Sequence, residues 1–445
     1  MSDAPSEVLA VEAAALPLDS KRDGEPGRTP WTTAGRTFEA FQHRDYRYFW
    51  AGACLSNVGT WMQNVAQGWL VTQLTGSSFW VGMVGFAGGL PVLFLALPAG
   101  MMADRMDRRR LLLMSQTVVM FLAFGLAYVI EVSSLTRGNW GLMGWILGAA
   151  FVTGIGMVFS FPAWQAMIPD LVPSETLLNA VSLNSAQFHA ARLVGPAIAG
   201  VLMARLGIAS AFWANAVSFL AVIAALLVIR PRYAHPPHSG AGAAETTWQR
   251  LTGGLTYARE NLSVAVLLAS VSLTTFFGLP YLVLLPLLVK GPLRGDSGTY
   301  AFLVAANGLG ALTGALGVAY LARLAHRPTL IRVGLIVFAS AALAIALSGR
   351  VWLTACLMPV AGGAFLTMQA AVNTGIQAST PAHLRGRVMA LFVLSFLGIM
   401  PLGSLAFGAL GHVLGVRAAI AVGETACLAW GLVLLTRPKL LAALE

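Results

Sequence analysis

Gly100-Met-Met-Ala-Asp104-Arg105-Met-Asp107-Arg108-Arg109-Arg110 packs six charges into one short stretch between two long apolar runs. A helix needs about 20 mostly apolar residues to cross a bilayer, and both flanking runs reach that length. Lys and Arg in short loops stay on the cytoplasmic side, so this loop is expected to face inward. Its placement orients every span around it.

The rest of the composition agrees. The chain has 445 residues, of which 57% are hydrophobic and only 10% charged, and its mean hydropathy is +0.74. A soluble chain carries about 25% charged residues. The net charge of +10 would suit a nucleic-acid binder, but its distribution does not. Arg137, Arg205, Lys290, Arg294, Arg350 and Arg417 fall in expected outer loops and Arg192 falls within a span, while every other Lys and Arg falls in expected cytoplasmic segments. That asymmetry is the positive-inside rule. Cys54, Cys356 and Cys427 are scattered through apolar segments with no pairing pattern, so neither a disulfide framework nor a metal site is expected. The N-terminus has no signal-peptide core, and its polar, Pro/Gly-bearing start reads as a disordered cytoplasmic tail.

Twelve spans are expected, near 47–74, 78–102, 109–131, 140–167, 180–206, 209–230, 262–289, 298–322, 329–348, 351–377, 387–411 and 415–436. An even number places both termini in the cytoplasm. The span at 180–206 is the weakest, because Asn184, Gln187, His189 and Arg192 must face protein or water rather than lipid. The expected organisation is a tail (1–44), a first bundle (45–230), a linker (231–261) with a short amphipathic helix, a second bundle (262–437) and a C-terminal tail (438–445). The halves look related: Gln165 to Pro169 recurs as Gln377 to Pro381, Leu206-Gly207 as Leu414-Gly415, and Gly100–Arg110 in degraded form as Gly317–Arg327. A parallel repeat of six-helix units puts a binding cavity between them at mid-membrane depth.

Several polar constellations lie inside the spans. Asp104 beside Arg105 and Arg109 can favour one packing of the bundles, or the arginines can simply anchor topology. In 191–200, Gly195 and Gly200 permit close backbone contact and Pro196 bends the helix, which ordinary helix packing also explains. His189 and Arg192, three apart, share one face. A membrane arginine costs at least ~2.5–3.5 kcal/mol to insert, so Arg192 needs an anionic substrate, a titrating acid or fixed structural partners. His189 is either a satisfied core histidine or a proton relay. Asn57, Trp61, Asn64 and Gly68 follow helical spacing with Gln67 beside them, and Gln369, Asn373 and Gln377 repeat the pattern. Such amides glue helices or line a cavity, and a stripe in each half points to lining. Trp61 and Trp164 offer flat apolar surface to an aromatic ligand. Among the few acids in spans, Glu424 is a candidate for ion coupling or for a structural role. No Gly-x-x-x-x-Gly-Lys-Ser/Thr loop or His-Glu-x-x-His motif occurs, so neither ATP, nor a cofactor, nor catalysis is expected. His235 and His238 are a weak metal hint in a polar loop.

Gly100–Arg110 resembles the loop signature of the major facilitator superfamily, Gly-x-x-x-Asp-Arg-x-Gly-Arg-Arg, with Asp107 where the superfamily prefers glycine. Residues 191–200 look like its antiporter signature, Gly-x-x-x-Gly-Pro-x-x-Gly-Gly, with Ala191 and Ala199 replacing two glycines. Gly59-Thr-Trp61-Met-Gln63-Asn-Val-Ala66, Pro169-Asp-Leu-Val-Pro173 and Arg385-Gly386-Arg387-Val388-Met389 resemble bacterial exporters related to the enterobactin exporter and to macrolide and drug efflux permeases, over about residues 41–437. The resemblance implies an all-α membrane fold of two six-helix bundles related by a pseudo-two-fold axis. It also implies gating roles for Gly100, Asp104, Arg105 and Arg109 as a latch of the outward-facing state. The twelfth span is peripheral in this superfamily, which leaves the role of Glu424 open.

The expected function is a monomeric, multi-pass secondary transporter of the bacterial inner membrane. It would export a small amphipathic molecule, drug-like or a siderophore, by alternating access against inward proton flow. Uptake by the same fold and a non-transporting scaffold or receptor are the alternatives.

Overall fold

The computed structural model describes residues 38–231, 233 and 247–444, without the side chains at 97, 101, 103–105, 247–252, 319, 322–324 and 442–444. Residues 1–37 of the expected tail, His235, His238 and the side chains of Asp104 and Arg105 lie outside the described residues.

The described chain folds into helices throughout: α1 (Arg44–Thr75), α2 (Ser78–Arg105), α3 (Arg108–Val132), α4 (Trp140–Leu171), α5 (Leu177–Leu206), α6 (Ala209–Val228), α7 (Thr247–Glu260), α8 (Leu262–Lys290), α9 (Ser297–Leu324), α10 (Arg327–Leu347), α11 (Val351–Ser379), α12 (Ala382–Leu414) and α13 (Val416–Thr436). Among the described residues, ten of these are long and apolar enough to cross a membrane. The helices outside that group, apart from the short α7, are α1 and α5. They run to 32 and 30 residues but carry Asn57, Gln63, Asn64 and Gln67, and Asn184, Gln187, His189 and Arg192. Both sit among other helices, α1 against α5 and α6, and α5 against α1 and α9. Helices shielded this way can hold polar side chains that lipid would not tolerate. The outer surface is apolar, with Phe94 72% and Phe121 66% exposed.

Local chemistry sets the helix boundaries. Asp107, Asn139, Asn261 and Asp296 each accept a backbone N–H of the first turn of α3, α4, α8 and α9. Each such cap contributes about 1 kcal/mol. Asp107, the residue that departs from the superfamily loop, therefore does the work of starting α3. At Asp296 the backbone N–H and the hydroxyl of Thr299 both donate at 2.8 Å and hold the carboxyl below its ordinary pKa. Gly207 and Gly415 end α5 and α12 at φ of 82° and 86°. These are the two glycines of the repeated Leu-Gly pair, so the repeat in sequence is also a repeat in backbone shape. Two π-turns, Thr274–Gly278 and Leu394–Gly398, interrupt α8 and α12.

The first six long helices meet the last six along two seams. α2 packs antiparallel on α12, and α5 on α9. A two-fold operation taking α1–α6 onto α8–α13 exchanges one seam for the other. Glycines make both seams close: a Cβ at Gly82 or Gly408 would collide with the opposing backbone of α12 or α2, and one at Gly308 would meet the Arg192 carbonyl oxygen at 2.5 Å. The described contacts run from Ser78–Gly411 to Leu93–Gly398 in one seam and from Gly200–Ala301 to Arg192–Gly308 in the other. They occupy the half of the molecule away from Arg44 and Thr436. There Lys290 donates to the Thr72 carbonyl at 3.3 Å, Trp69 stacks on Tyr300, and Ser77 bonds the His412 ring. At the opposite end, among the described residues, α4 and α5 make no comparable packing against α11 or the first segment of α12.

A side chain at Gly308 must therefore push the seam apart. Gly308→Leu is expected to cost about 1–3 kcal/mol, read as a lowered thermal unfolding midpoint in detergent. Gly144→Leu, where a Cβ meets nothing within 4 Å, should leave the midpoint unchanged.

Candidate functional site

The signature-like stretch of α5 lies where three helices converge. A Cβ at Gly195 would meet Trp61 at 2.6 Å and the Val58 carbonyl at 2.8 Å on α1, and one at Gly200 would meet Ala301 on α9 at 2.9 Å. Both glycines thus serve close approach, Gly195 to α1 and Gly200 to α9, with Pro196 buried between them.

Arg192 occupies the inner end of the α5–α9 seam. Its Nη2 donates to Asn307 Oδ1 at 2.8 Å, and its guanidinium carbon lies 5.5 Å from the centre of the Trp61 ring. Asn307, 1% exposed, donates through Nδ2 to Tyr281 Oη at 2.7 Å and to the Met358 carbonyl at 3.2 Å. A charge-assisted hydrogen bond contributes about 1.5–3 kcal/mol and a desolvated cation–π contact about 2. Together they match the cost of inserting the arginine, so no carboxylate is needed in direct contact. The partners are an amide and a ring, where the sequence left open an anionic substrate, a titrating acid or fixed structural partners.

The other candidates distribute unevenly. Asn57 Nδ2 donates to Gln187 Oε1 at 3.2 Å, and Gln187 Nε2 to Asn184 Oδ1 at 3.4 Å, so these amides bridge α1 and α5. Trp61 meets Phe188 edge-on, and Phe188 lies against the His189 ring, whose buried Nδ1 has no hydrogen-bond partner. Asn64 is exposed and Gln67 half-buried on α1. On α11 Gln377 donates to Asn373 at 2.7 Å, and the buried Gln369 Oε1 has no partner. Trp164 stands apart from Trp61, its ring 4.4 Å from that of Phe49 in a separate apolar cluster. Glu424 is completely buried on α13, and neither carboxyl oxygen has a hydrogen-bond partner among the described residues.

In the charged loop, Gly100 meets nothing within 4 Å of a Cβ position. Arg109 donates to the Leu226 and Leu227 carbonyls at 2.5 and 2.7 Å, which satisfies the last turn of α6. Arg108 pairs with Asp170 at 2.8 Å and also donates to the Ala166 carbonyl, fixing α3 to α4. In this arrangement, Arg108 and Arg109 hold α3 to α4 and to α6. Sequence reading passed over Arg108, Asp170, Asn307 and Tyr281. Asn307 carried a signal, as the single polar side chain in the apolar run 301–312. Asp170 lay in a stretch noted only for its likeness to exporters, and Tyr281 carried no signal.

Asp170 is 4% exposed, so removing Arg108 takes a charged partner from a buried carboxylate. Arg108→Ala is expected to cost about 3 kcal/mol in thermal stability, and the double variant R108L/D170L should recover most of it, because the buried charge goes with its partner.

Comparison with known proteins agrees with this architecture. A family model described as transmembrane secretion effector matches residues 35–443. The multidrug efflux pump Tap of Mycolicibacterium fortuitum is 26% identical over 392 residues, covering 87% of this chain and 94% of that protein. The staphyloferrin A transporter of Staphylococcus aureus is 24% identical over 374 residues, covering 83% and 90%. A peptide transporter of the POT family, solved with sulfate, superposes with a TM-score of 0.68 at 13% identity, covering 90% of this chain and 96% of that one, which establishes likeness of fold. Ten apolar helices, two glycine seams and a family match over nearly the whole chain lead to one conclusion: this is a multi-pass membrane transporter of the transmembrane secretion effector family, within the major facilitator superfamily.

Proposed function

We propose that this protein is a twelve-span secondary transporter of the bacterial inner membrane that exports a small amphipathic molecule, drug-like or a siderophore, driven by inward proton flow. The observation that carries the reading is the asymmetry of the two seams, which are sealed over one half of the molecule and end near its middle. Alternating access needs such an arrangement, with two rigid units (45–230 and 262–437, joined by 231–261) that rock about a shared mid-depth contact. α1 and α5 cross with the other ten helices, their polar faces turned towards protein.

The arginine-rich loops place the terminal end, including 438–445, in the cytoplasm. The open end then faces inward, ready to load cargo for export. Asn57, Trp61, Asn64 and Gln67 from one unit and Gln369 and Asn373 from the other line the path, with Trp164 deeper on the inner side. Gly100, Asp104, Arg105 and Arg109 form the latch that closes the inner end. The efflux and siderophore relatives support the direction and the class of cargo. The protein works as a monomer in lipid, without nucleotide. His189, Arg192 and Glu424 are the groups through which protons would act, and each proton crossing 100 mV supplies about 2.3 kcal/mol, a roughly fifty-fold gradient.

Inside-out vesicles energised by respiration and offered fluorescent amphiphiles and iron-free siderophores test this. Energised uptake that an uncoupler abolishes is expected, with the initial rate reduced at least about ten-fold in Arg192→Ala and in Asp104→Asn. Energised loss of preloaded compound would establish import instead, and uptake insensitive to the uncoupler would exclude ion drive.

A further inference from the structure

The hydrogen-bond chain at Arg192 has a direction. A guanidinium only donates, so Asn307 must present its oxygen to Arg192. The Met358 carbonyl only accepts, which fixes the Asn307 amide nitrogen on the other side. Tyr281 Oη therefore accepts from Asn307, and its own proton has no acceptor among the described residues. Tyr281 is 2% exposed, so that donor is buried and unused. Glu424, on α13, is 0% exposed and has two buried acceptor oxygens unused among the described residues. The two groups of complementary chemistry sit on helices in close contact, since a Cβ at Gly423 would meet the Phe277 carbonyl and one at Gly278 would meet Cys427.

The local backbone is built to bring them together or hold them apart. The π-turn Thr274–Gly278 lies just before Tyr281 and packs on α13. A Cβ at Gly423, next to Glu424, would collide with the Phe277 carbonyl of that turn. π-turns recur at functional sites because they allow a helix to shift register locally. The hydroxyl of Thr275 in the turn is also buried without a partner.

We infer that Glu424 is the proton-binding group of this transporter, and that Tyr281 and Asn307 couple its charge to Arg192 and hence to the α5–α9 seam. When Glu424 has lost its proton to solvent, the Tyr281 hydroxyl donates to the carboxylate and closes a chain from Arg192 through Asn307 and Tyr281 to Glu424, spanning α5, α9, α8 and α13. When Glu424 takes a proton back, the carboxyl is neutral and the chain opens at Tyr281. The arrangement described here, in which both carboxyl oxygens are unpartnered among the described residues and the seams end near mid-depth, is then assigned to the protonated form. Protonation therefore favours the inward-open arrangement, as proton entry during export requires.

Other charges around Glu424 do not substitute for this link. α13 itself offers Cys427 and also Arg417, whose Nη2 donates to the Ser348 carbonyl. From α10 come Arg327 and Arg332, both in its first two turns, Arg332 donating to Pro438. The second segment of α12 brings His412, bonded to Ser77, and α8 ends in Lys290, bonded to Thr72.

The inference rests on the proton-driven reading, but its test needs neither cargo nor transport. Spin labels at Leu178→Cys and His383→Cys, both exposed at the open end, report the distance between α5 and α12 in the full-length protein, with Cys54 and Cys356 replaced by Ser and the buried Cys427 retained. Infrared difference spectra across the same pH series report the carboxylic-acid carbonyl of Glu424, identified as the band that Glu424→Gln removes. In the parent the long-distance population should gain at least about ten-fold over the short one on acidification. Glu424→Gln should stay in the long-distance form at every pH. Tyr281→Phe, which keeps the ring, should still show the titrating band while its distance ratio moves by less than about two-fold. A parent whose distances ignore pH, or a Tyr281→Phe variant whose distances follow pH as the parent's do, would overturn the coupling. A titrating band that survives Glu424→Gln in a variant eluting as a folded monomer would assign the proton elsewhere.

Discussion

A full positive charge near the middle of α5 must be solvated by protein, and the rest of the site is organised around that demand. Arg192 obtains its solvation from an amide on α9 and a ring on α1. Each of those groups is placed by its own helix packing, so the arginine fixes three helices relative to one another. The seam also works in reverse. Asn307 can reach Arg192 only because Gly308 lets α9 approach the α5 backbone, and a Cβ at Gly362 on α11 would collide with the Asn307 carbonyl. Charge solvation and glycine packing are thus one structural fact seen from two sides.

The same logic explains why the two halves are sealed over only part of their length. Glycine and small-residue contacts supply no hydrophobic drive in lipid; they supply close dispersion contact and allow hydrogen bonds to form. Where glycines face each other in α2 and α12, the helices touch along four turns or so, and the contact stops at the π-turn Leu394–Gly398. Beyond it, among the described residues, the close glycine contacts of this seam end. A transporter of this class gains from a seam that is firm where it exists and absent elsewhere, because a half-sealed interface has two comparable packings.

Much of this was legible before any coordinates. Hydropathy gave the apolar helices, and the recurrence of Leu206-Gly207 as Leu414-Gly415 anticipated two helix ends of the same backbone shape. The polar content of 180–206 marked α5 as a helix that lipid alone would not accept. What was not legible depended on helix register between distant segments. Nothing in the local sequence tells Asn307 to face Arg192 rather than a neighbour on its own half. In the charged loop, Arg109, read as part of a gate, also donates to the end of α6, and its neighbour Arg108, which the sequence did not single out, pairs with Asp170. Trp164 shares residue type with Trp61, but its ring packs on Phe49 in a separate apolar cluster, a placement that depends on the helix packing of the first half.

The linker helix α7 has a mechanical meaning of its own. Tyr257 donates to the Ser379 carbonyl at 2.8 Å, and Gly253 and Gly254 lie against Arg387, so α7 rides with α11 and α12. The covalent tether between the halves is then the stretch from Ile229 to Thr247, whose contour length is on the order of 60 Å. That exceeds the ~45 Å length of a thirty-residue helix. A stretch of that contour length does not by itself hold the halves at one separation. The amplitude of any rocking is set by the two glycine seams, which makes this chain, mechanically, two bodies on a pair of hinges that happen to share one backbone.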